Sequence, residues 1–208
     1  GNYALSGEVS AIYIIPSIII IILGMKFVAS RLGQRKALLF GTIGCIIFCS
    51  LLALLFIFGE PSTMSFKNSN FFTIAFIVLW ILMQGFAGIS GNIVIPMTAD
   101  CADYETYRSG KYVPGLMGTL FSCVDKIISS FATTIVGLLI AMIGFKETQP
   151  TPDTPYSSGI FWVTMFCVFF APMIGWVLNI IAMRFYPLTK EKMEEIQGAI
   201  AEIKAKNV

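Results

Sequence analysis

Residues 14–58 read IIPSIIIIILGMKFVASRLGQRKALLFGTIGCIIFCSLLALLFIF, two long apolar runs parted by the basic knot RLGQRK at 31–36. Neither run alternates: positions 18–23 and 51–58 are apolar throughout, whereas a barrel strand alternates polar and apolar residues over about ten positions. A helix needs about 20 apolar residues to cross the hydrocarbon of a bilayer. It also satisfies its own backbone there, as lipid demands. The stretch therefore predicts two transmembrane helices joined by a basic turn. Working outward, the same pattern recurs three times. Spans are expected at 10–30, 37–58, 71–99, 115–144 and 160–185, followed by a tail at 187–208. The fold class is an all-α integral membrane bundle of five transmembrane helices.

Composition agrees. Hydrophobic residues make up 56% of the 208 and charged residues 12%, where a soluble domain carries about a quarter charged. Mean hydropathy is +0.81. A net charge of +2, with no basic patch interleaved with aromatics, gives no sign of a nucleic-acid partner. The absence of histidine excludes imidazole catalysis and histidine metal ligands. Five cysteines (Cys45, Cys49, Cys101, Cys123 and Cys167) lie in or beside apolar runs without a C-x-x-C pair. They read as buried free thiols, not as a disulfide framework or a metal site. No cofactor is expected. The chain opens on Gly1 with no basic n-region or cleavage site, so it reads as a fragment without a signal peptide.

Loop charge predicts orientation. Arg31, Arg35, Lys36, Arg108, Lys111, Arg184, Lys190, Lys192, Lys204 and Lys206 fall on one set of connections, and only Lys67 and Lys146 on the other. By the positive-inside rule the first set and the tail are cytoplasmic. The first residues then lie outside, and at least one further span is expected upstream. The tail reads as an amphipathic helix capped by Thr189, with Met193, Ile196, Ile200 and Ile203 on one face, lying on the membrane or on the protein itself.

The fourth span carries the chemistry. Gly118, Ser122, Asp125, Lys126, Ser129, Ser130, Thr133 and Gly137 recur mostly at three- and four-residue steps, which gathers them on one side of a helix. Lys126 lies about 16 Å along the axis from Gly115, near mid-membrane. A lysine there costs at least about 2.5–3.5 kcal/mol, so it is rarely idle. Asp125 points about 100° away from it, which makes the two poor mutual partners. On the third span Gln84, Gly88, Gly91 and Thr98 share a face, with Asn92 at its edge. They line a cavity or serve close helix packing, and Pro96 is expected to kink this span. Lys26 sits near a helix end and snorkels. The candidate pathway is thus Lys126, Asp125, Ser122, Ser129, Thr133, Gln84 and Asn92. The connection ADCADYETYRSGKYVPG at 99–115 gathers Asp100, Asp103, Tyr104, Glu105, Arg108 and Lys111. It lacks the glycine and terminal glutamate of a calcium loop, so it reads as charge pairing that latches helix ends, a cytoplasmic gate.

At this connection the sequence resembles a known family. MTADCADYETYRSGKYVPG at 97–115, then a helix with a mid-membrane lysine ending IAMIGF, is similar to the glycoside–pentoside–hexuronide:cation symporters, the group that includes melibiose permease. RLGQRK at 31–36 and the exit RFYPLT at 184–189 add to the likeness. The resemblance covers spans eight to twelve of that family, with 2–7 as the end of span seven. It implies a major-facilitator fold of two six-helix bundles rocking about a central site. It also implies uptake of a sugar coupled to Na⁺, H⁺ or Li⁺, and a bacterial inner (plasma) membrane location. The family's coupling lysine on span eleven maps onto Lys126, and its cation-binding aspartates belong to the N-terminal bundle, among the missing N-terminal helices of the same transporter. Tyr112 stands where an arginine is common, and Gly91 where melibiose permease has an aromatic residue near the sugar.

Two readings from other classes compete. A membrane-embedded enzyme has only a Ser–Lys dyad to draw on, Ser122 or Ser130 with Lys126. A channel subunit would need a filter motif that the sequence does not contain.

Overall fold

The computed structural model describes the backbone of residues 4–65, 70–146, 150–151 and 154–206, and the side chains of these as far as 202 but not those of 4 and 5. The expectations for Asn2, Lys67 and the side chains of Ile203, Lys204 and Lys206 lie outside this set. Among the described residues every regular element is helical. In chain order they are α1 (Ala4–Gly24), a π-turn (Met25–Ala29) and α2 (Ser30–Leu32), then α3 (Gln34–Phe58) and a short 3₁₀ turn (Pro61–Thr63). After these come α4 (Phe71–Ser109), α5 (Pro114–Met142), α6 (Ser158–Met165), a second π-turn (Phe166–Phe170), α7 (Ala171–Met183) and α8 (Lys190–Lys206). Five helical stretches are long and apolar enough to cross a membrane: Ser6–Leu32, Gln34–Phe58, Phe71–Ser109, Pro114–Met142 and Ser158–Met183. The all-α membrane bundle expected from the sequence is the fold observed.

Several boundaries differ, each for a local reason. Residues 4–7 continue into α1 instead of closing a separate span. The basic connection at 31–36 shrinks to one residue, Gly33, at φ 82 and ψ 167. Only glycine adopts that φ without strain. Its N–H still bonds Ala29 O at 3.0 Å, and its carbonyl accepts from Ala37 N at 3.1 Å, so a helix corner replaces a loop. α4 runs ten residues past the expected end, and Pro96 lies inside it without interrupting it. It stops at Gly110, a left-handed cap (φ 72) whose N–H reaches Thr106 O. Its 39 residues make a helix about 58 Å long, against a hydrocarbon core of about 30 Å. Its last turns therefore project beyond the bilayer at the basic end of the bundle.

The core is a three-helix slab with α4 at its centre. On one side α3 approaches so closely that a Cβ added at Gly41 would fall 2.9 Å from Ser90 N and 3.2 Å from Phe86 O. On the other side Gly85 and Gly88 leave room for Ile20 and Ile21 of α1. Small residues that let backbones approach are the usual helix contact in lipid. Around this seam Ala37, Leu38, Ile89, Ile93 and Met97 form one buried cluster. Cys49, Leu52, Ala53, Phe76 and Met83 join Met165 and Phe169 of the fifth span in another. Inside the bilayer Asn179 donates to Thr42 Oγ1 at 2.8 Å and ties α7 to α3. At the basic end Arg35 Nε and Nη2 donate to Met183 O at 3.1 and 2.8 Å, a cation on a helix C-terminus.

Packing sorts the glycines into two kinds, and their substitution separates them. Gly41→Ala meets backbone atoms that cannot yield, so it is expected to cost about 1–3 kcal/mol, the usual scale of overpacking. Gly175→Ala meets nothing within 4 Å and should hold or raise the melting temperature. Thermal unfolding of the two variants in the same detergent checks the contrast.

Candidate transport pathway

α5 begins at Pro114, whose missing N–H costs nothing in the first turn, and not one of its 29 residues is buried. Met117, Gly118 and the three residues 139–141 are half-covered; the rest are exposed. At the basic end Met117 and Phe121 share a cavity of about 330 Å³ with Val94, Met97, Thr98 and Cys101 of α4 and with Asn179 and Met183 of α7. At the other end Ile143 lies beside Gly159. Between these two attachments every residue from 119 to 138 is exposed.

The whole predicted stripe sits on that free stretch. Ser122, Asp125, Lys126, Ser129 and Thr133 are exposed. Among the described residues neither Lys126 nor Asp125 has an ion-pair partner. The hydroxyls beside them turn inward: Ser130 Oγ donates to Lys126 O at 2.8 Å, and Thr133 Oγ1 to Ser130 O at 2.9 Å. Ser130 thus spends its proton on a backbone carbonyl and not on the Lys126 amine. Gln84 is half-buried on α4; Asn92 is exposed and donates to Gly88 O at 2.8 Å. Among the described residues no hydrogen bond or ion pair joins Gln84 or Asn92 to the α5 set.

The acidic connection is corrected more thoroughly. Residues 100–109 are helix, not loop, so Asp100, Asp103, Tyr104, Glu105 and Arg108 are fanned around α4 and Lys111 lies beyond its cap. The expected latch is not formed within the chain: the one ion pair among the described residues is Lys192 with Glu195 at 2.8 Å, on α8. Asp100 is turned under the tail and is 9% exposed. The Gln34 side chain lies beside its carboxylate, and Gln34 Oε1 is buried and unbonded. These groups and Thr189, Lys190, Glu194 and Gln197 line a cavity of about 240 Å³.

The tail itself docks on the protein, settling the choice left by its amphipathic pattern. Thr189 Oγ1 accepts from Lys192 N at 3.4 Å, the expected cap. Leu188, Met193, Ile196 and Ile200 are buried against Cys101, Tyr104 and Tyr186. Lys190 Nζ reaches Ser30 O and Arg31 O at 3.3 and 3.4 Å. Burial, with Cys101 and Asp100 beside it, pushes the Tyr186 hydroxyl above its ordinary pKa, so it stays protonated. That hydroxyl is buried near the Cys101 thiol and has no hydrogen-bond partner among the described residues. Gln34 and Tyr186 were not singled out from the sequence, and Arg35 and Lys190 were named only as cytoplasmic charges. The signal available was the run RLGQRK, whose members at 34 and 35 turn inward at the Gly33 corner. The cysteines are all free, as expected, but of the five only Cys45 and Cys49 are buried; Cys101 and Cys167 are half-buried and Cys123 on α5 is exposed.

Compared with known families, residues 4–190 match the MFS/sugar transport protein family. The chain belongs to it. No curated protein and no solved structure matches. The five long helices are therefore those of an integral membrane transport protein of the major facilitator superfamily, and the free helix α5 is one of its spans.

Cys123 reports which medium α5 meets. It lies three residues before Lys126 and so on nearly the same side of the helix. In membranes, a small charged methanethiosulfonate reagent is expected to modify Cys123 and to spare the buried Cys45 and Cys49, as read by peptide mass spectrometry. Protection of Cys123 would put that side of α5 against lipid.

Proposed function

We propose that this chain supplies the C-terminal bundle of a sugar:cation symporter of the glycoside–pentoside–hexuronide type, working by alternating access. One observation carries the reading. A membrane-length helix presents Lys126 and Asp125 at mid-span with no partner among the described residues. Ionisable side chains at that depth face a bundle interior or a water-filled path and pair there. The partner surface is then a second bundle, formed by N-terminal helices of the same transporter, and the α5 stripe lines the path between the two. Lys126 exchanges partners between sugar-bound and cation-bound states, and that difference in partner strength couples Na⁺, H⁺ or Li⁺ to the sugar. Asp103, Glu105, Arg108 and Lys111 pair across to that second bundle on the cytoplasmic side, since they do not pair with one another, while Asp100 is covered by the tail. The membrane is a bacterial plasma membrane.

Two measurements on the intact transporter test this. Lys126→Ala is expected to insert normally and to lose gradient-driven accumulation of a labelled glycoside, with Lys26→Ala accumulating as wild type does. Normal accumulation by Lys126→Ala would reduce that lysine to a structural role. For orientation, a cysteine at Ser62 should react with an impermeant maleimide added to intact cells, and one at Ser109 should not. Reaction at Ser109 alone would invert the topology.

A further inference from the structure

The fifth span changes its relation to α3 part-way along. Pro172 has no N–H to give, and the turn before it, Phe166–Phe170, is widened to a π-turn. Helices bend at such places. From this turn onward the span is tied to α3: Cys49 Sγ donates to Phe169 O at 3.6 Å, and the Phe56 and Phe169 rings lie 5.6 Å apart. Between the start of α6 and the end of α3, at the end of the bundle opposite the tail, lies a crevice of about 710 Å³.

The crevice is graded from apolar to polar. Phe56, Met165 and Phe169 line its inner end; Ser62 and Tyr156, with Tyr156 80% exposed, stand at its mouth. Along the fifth span its lining runs from Phe161 to Phe169, eight residues or about 12 Å, against about 15 Å for half of a hydrocarbon core. Such a volume lies within the range of about 300–1,000 Å³ typical of sites that hold a small ligand.

We propose that this crevice holds one acyl chain of a membrane phospholipid as a resident ligand, with the lipid head group at the Ser62–Tyr156 rim. The chemistry decides among occupants. Water is excluded because an apolar cavity offers it too few partners. A sugar is excluded because its hydroxyls would lose their hydrogen bonds against rings and a thioether. The medium beside two membrane spans at this depth is lipid, and the polar mouth over an apolar floor matches an amphiphile standing as it does in a leaflet. Thr164 and Ile57 at the margin are exposed, which leaves the crevice open to that medium.

The test uses the full chain in phosphatidylethanolamine vesicles doped with a phospholipid that carries a diazirine on its acyl chain. After illumination, peptide mass spectrometry is expected to find label concentrated several-fold on Phe56 and Phe161, the half-buried rings of the crevice, over Ile174, Val177 and Leu178, which are exposed on the same span as Phe161. Thr164→Trp, which fills the margin without touching a buried residue, should remove the crevice label and leave the label on Ile174 unchanged. Thr164→Phe serves the same purpose if the larger ring impairs folding. Equal labelling of crevice and exposed face, or crevice labelling unaltered by either filler, would overturn the proposal. Neither result bears on whether the protein moves sugar.

Discussion

The approach of α3 to α4 at Gly41 sets the geometry of everything packed around it. Lipid gives two apolar helices little reason to associate, so contact has to come from shape and from polar groups. Gly41 brings one backbone onto another, at Ser90 and Phe86, and Gly44 makes room for the Phe86 ring. The Phe86 ring then lies 5.2 Å from Phe40 and 5.3 Å from Phe48. Gly85 and Gly88 repeat the arrangement toward α1 on another side of α4. α4 is thus a keel with a helix seated on each flank. The fifth span is bonded to α3, by Thr42–Asn179 and the Cys49–Phe169 contact.

α5 shows what happens where that device is missing. Gly115, Gly118 and Gly137 have nothing within 4 Å of where a Cβ would stand. They share the small-residue spacing of the packed helices but seat nothing. Read along the sequence, the glycines of α4 and of α5 look equivalent; the difference lies in what faces them, which no local pattern encodes. The stripe from Ser122 to Thr133 was legible because periodicity is a property of one helix. The partners of Lys126 were not, because pairing is a property of two.

The five spans and the tail were legible for the same reason, since apolar length and amphipathic spacing are local. What escaped lies at the ends. A connection containing DCADYETYR looked like a loop because its charges suit water, yet charged residues suit equally a helix that has left the bilayer. α4 does so, extending to its Gly110 cap. Once those residues are helical, Asp100 faces a different neighbour from Arg108, and the apparent charge cluster dissolves. The tail closed the remaining ambiguity: Ile196 at 0% exposure has protein, not lipid, around it. Each fully buried side chain of this kind is worth about 1.5–3 kcal/mol relative to exposure, so the four apolar residues of the tail hold α8 in place with no ion pair to the bundle among the described residues.

The bundle therefore divides by how its parts are held. α1, α3, α4, the fifth span and α8 are locked by backbone approach, by buried apolar residues and by side chains bound to helix-end carbonyls. α5 is held only near its two ends, and each end adjoins a glycine in the left-handed region, Gly110 at φ 72 and Gly144 at φ 105. The third such residue, Gly33, is by contrast pinned beneath Lys190. A polar stripe carrying both signs of charge is costly to leave against hydrocarbon, and the locked part of the bundle does nothing to offset that cost. The free energy of covering Lys126 and Asp125 is thus still unspent in this fold. It is available to whatever surface meets α5, and it is largest where the charges are deepest.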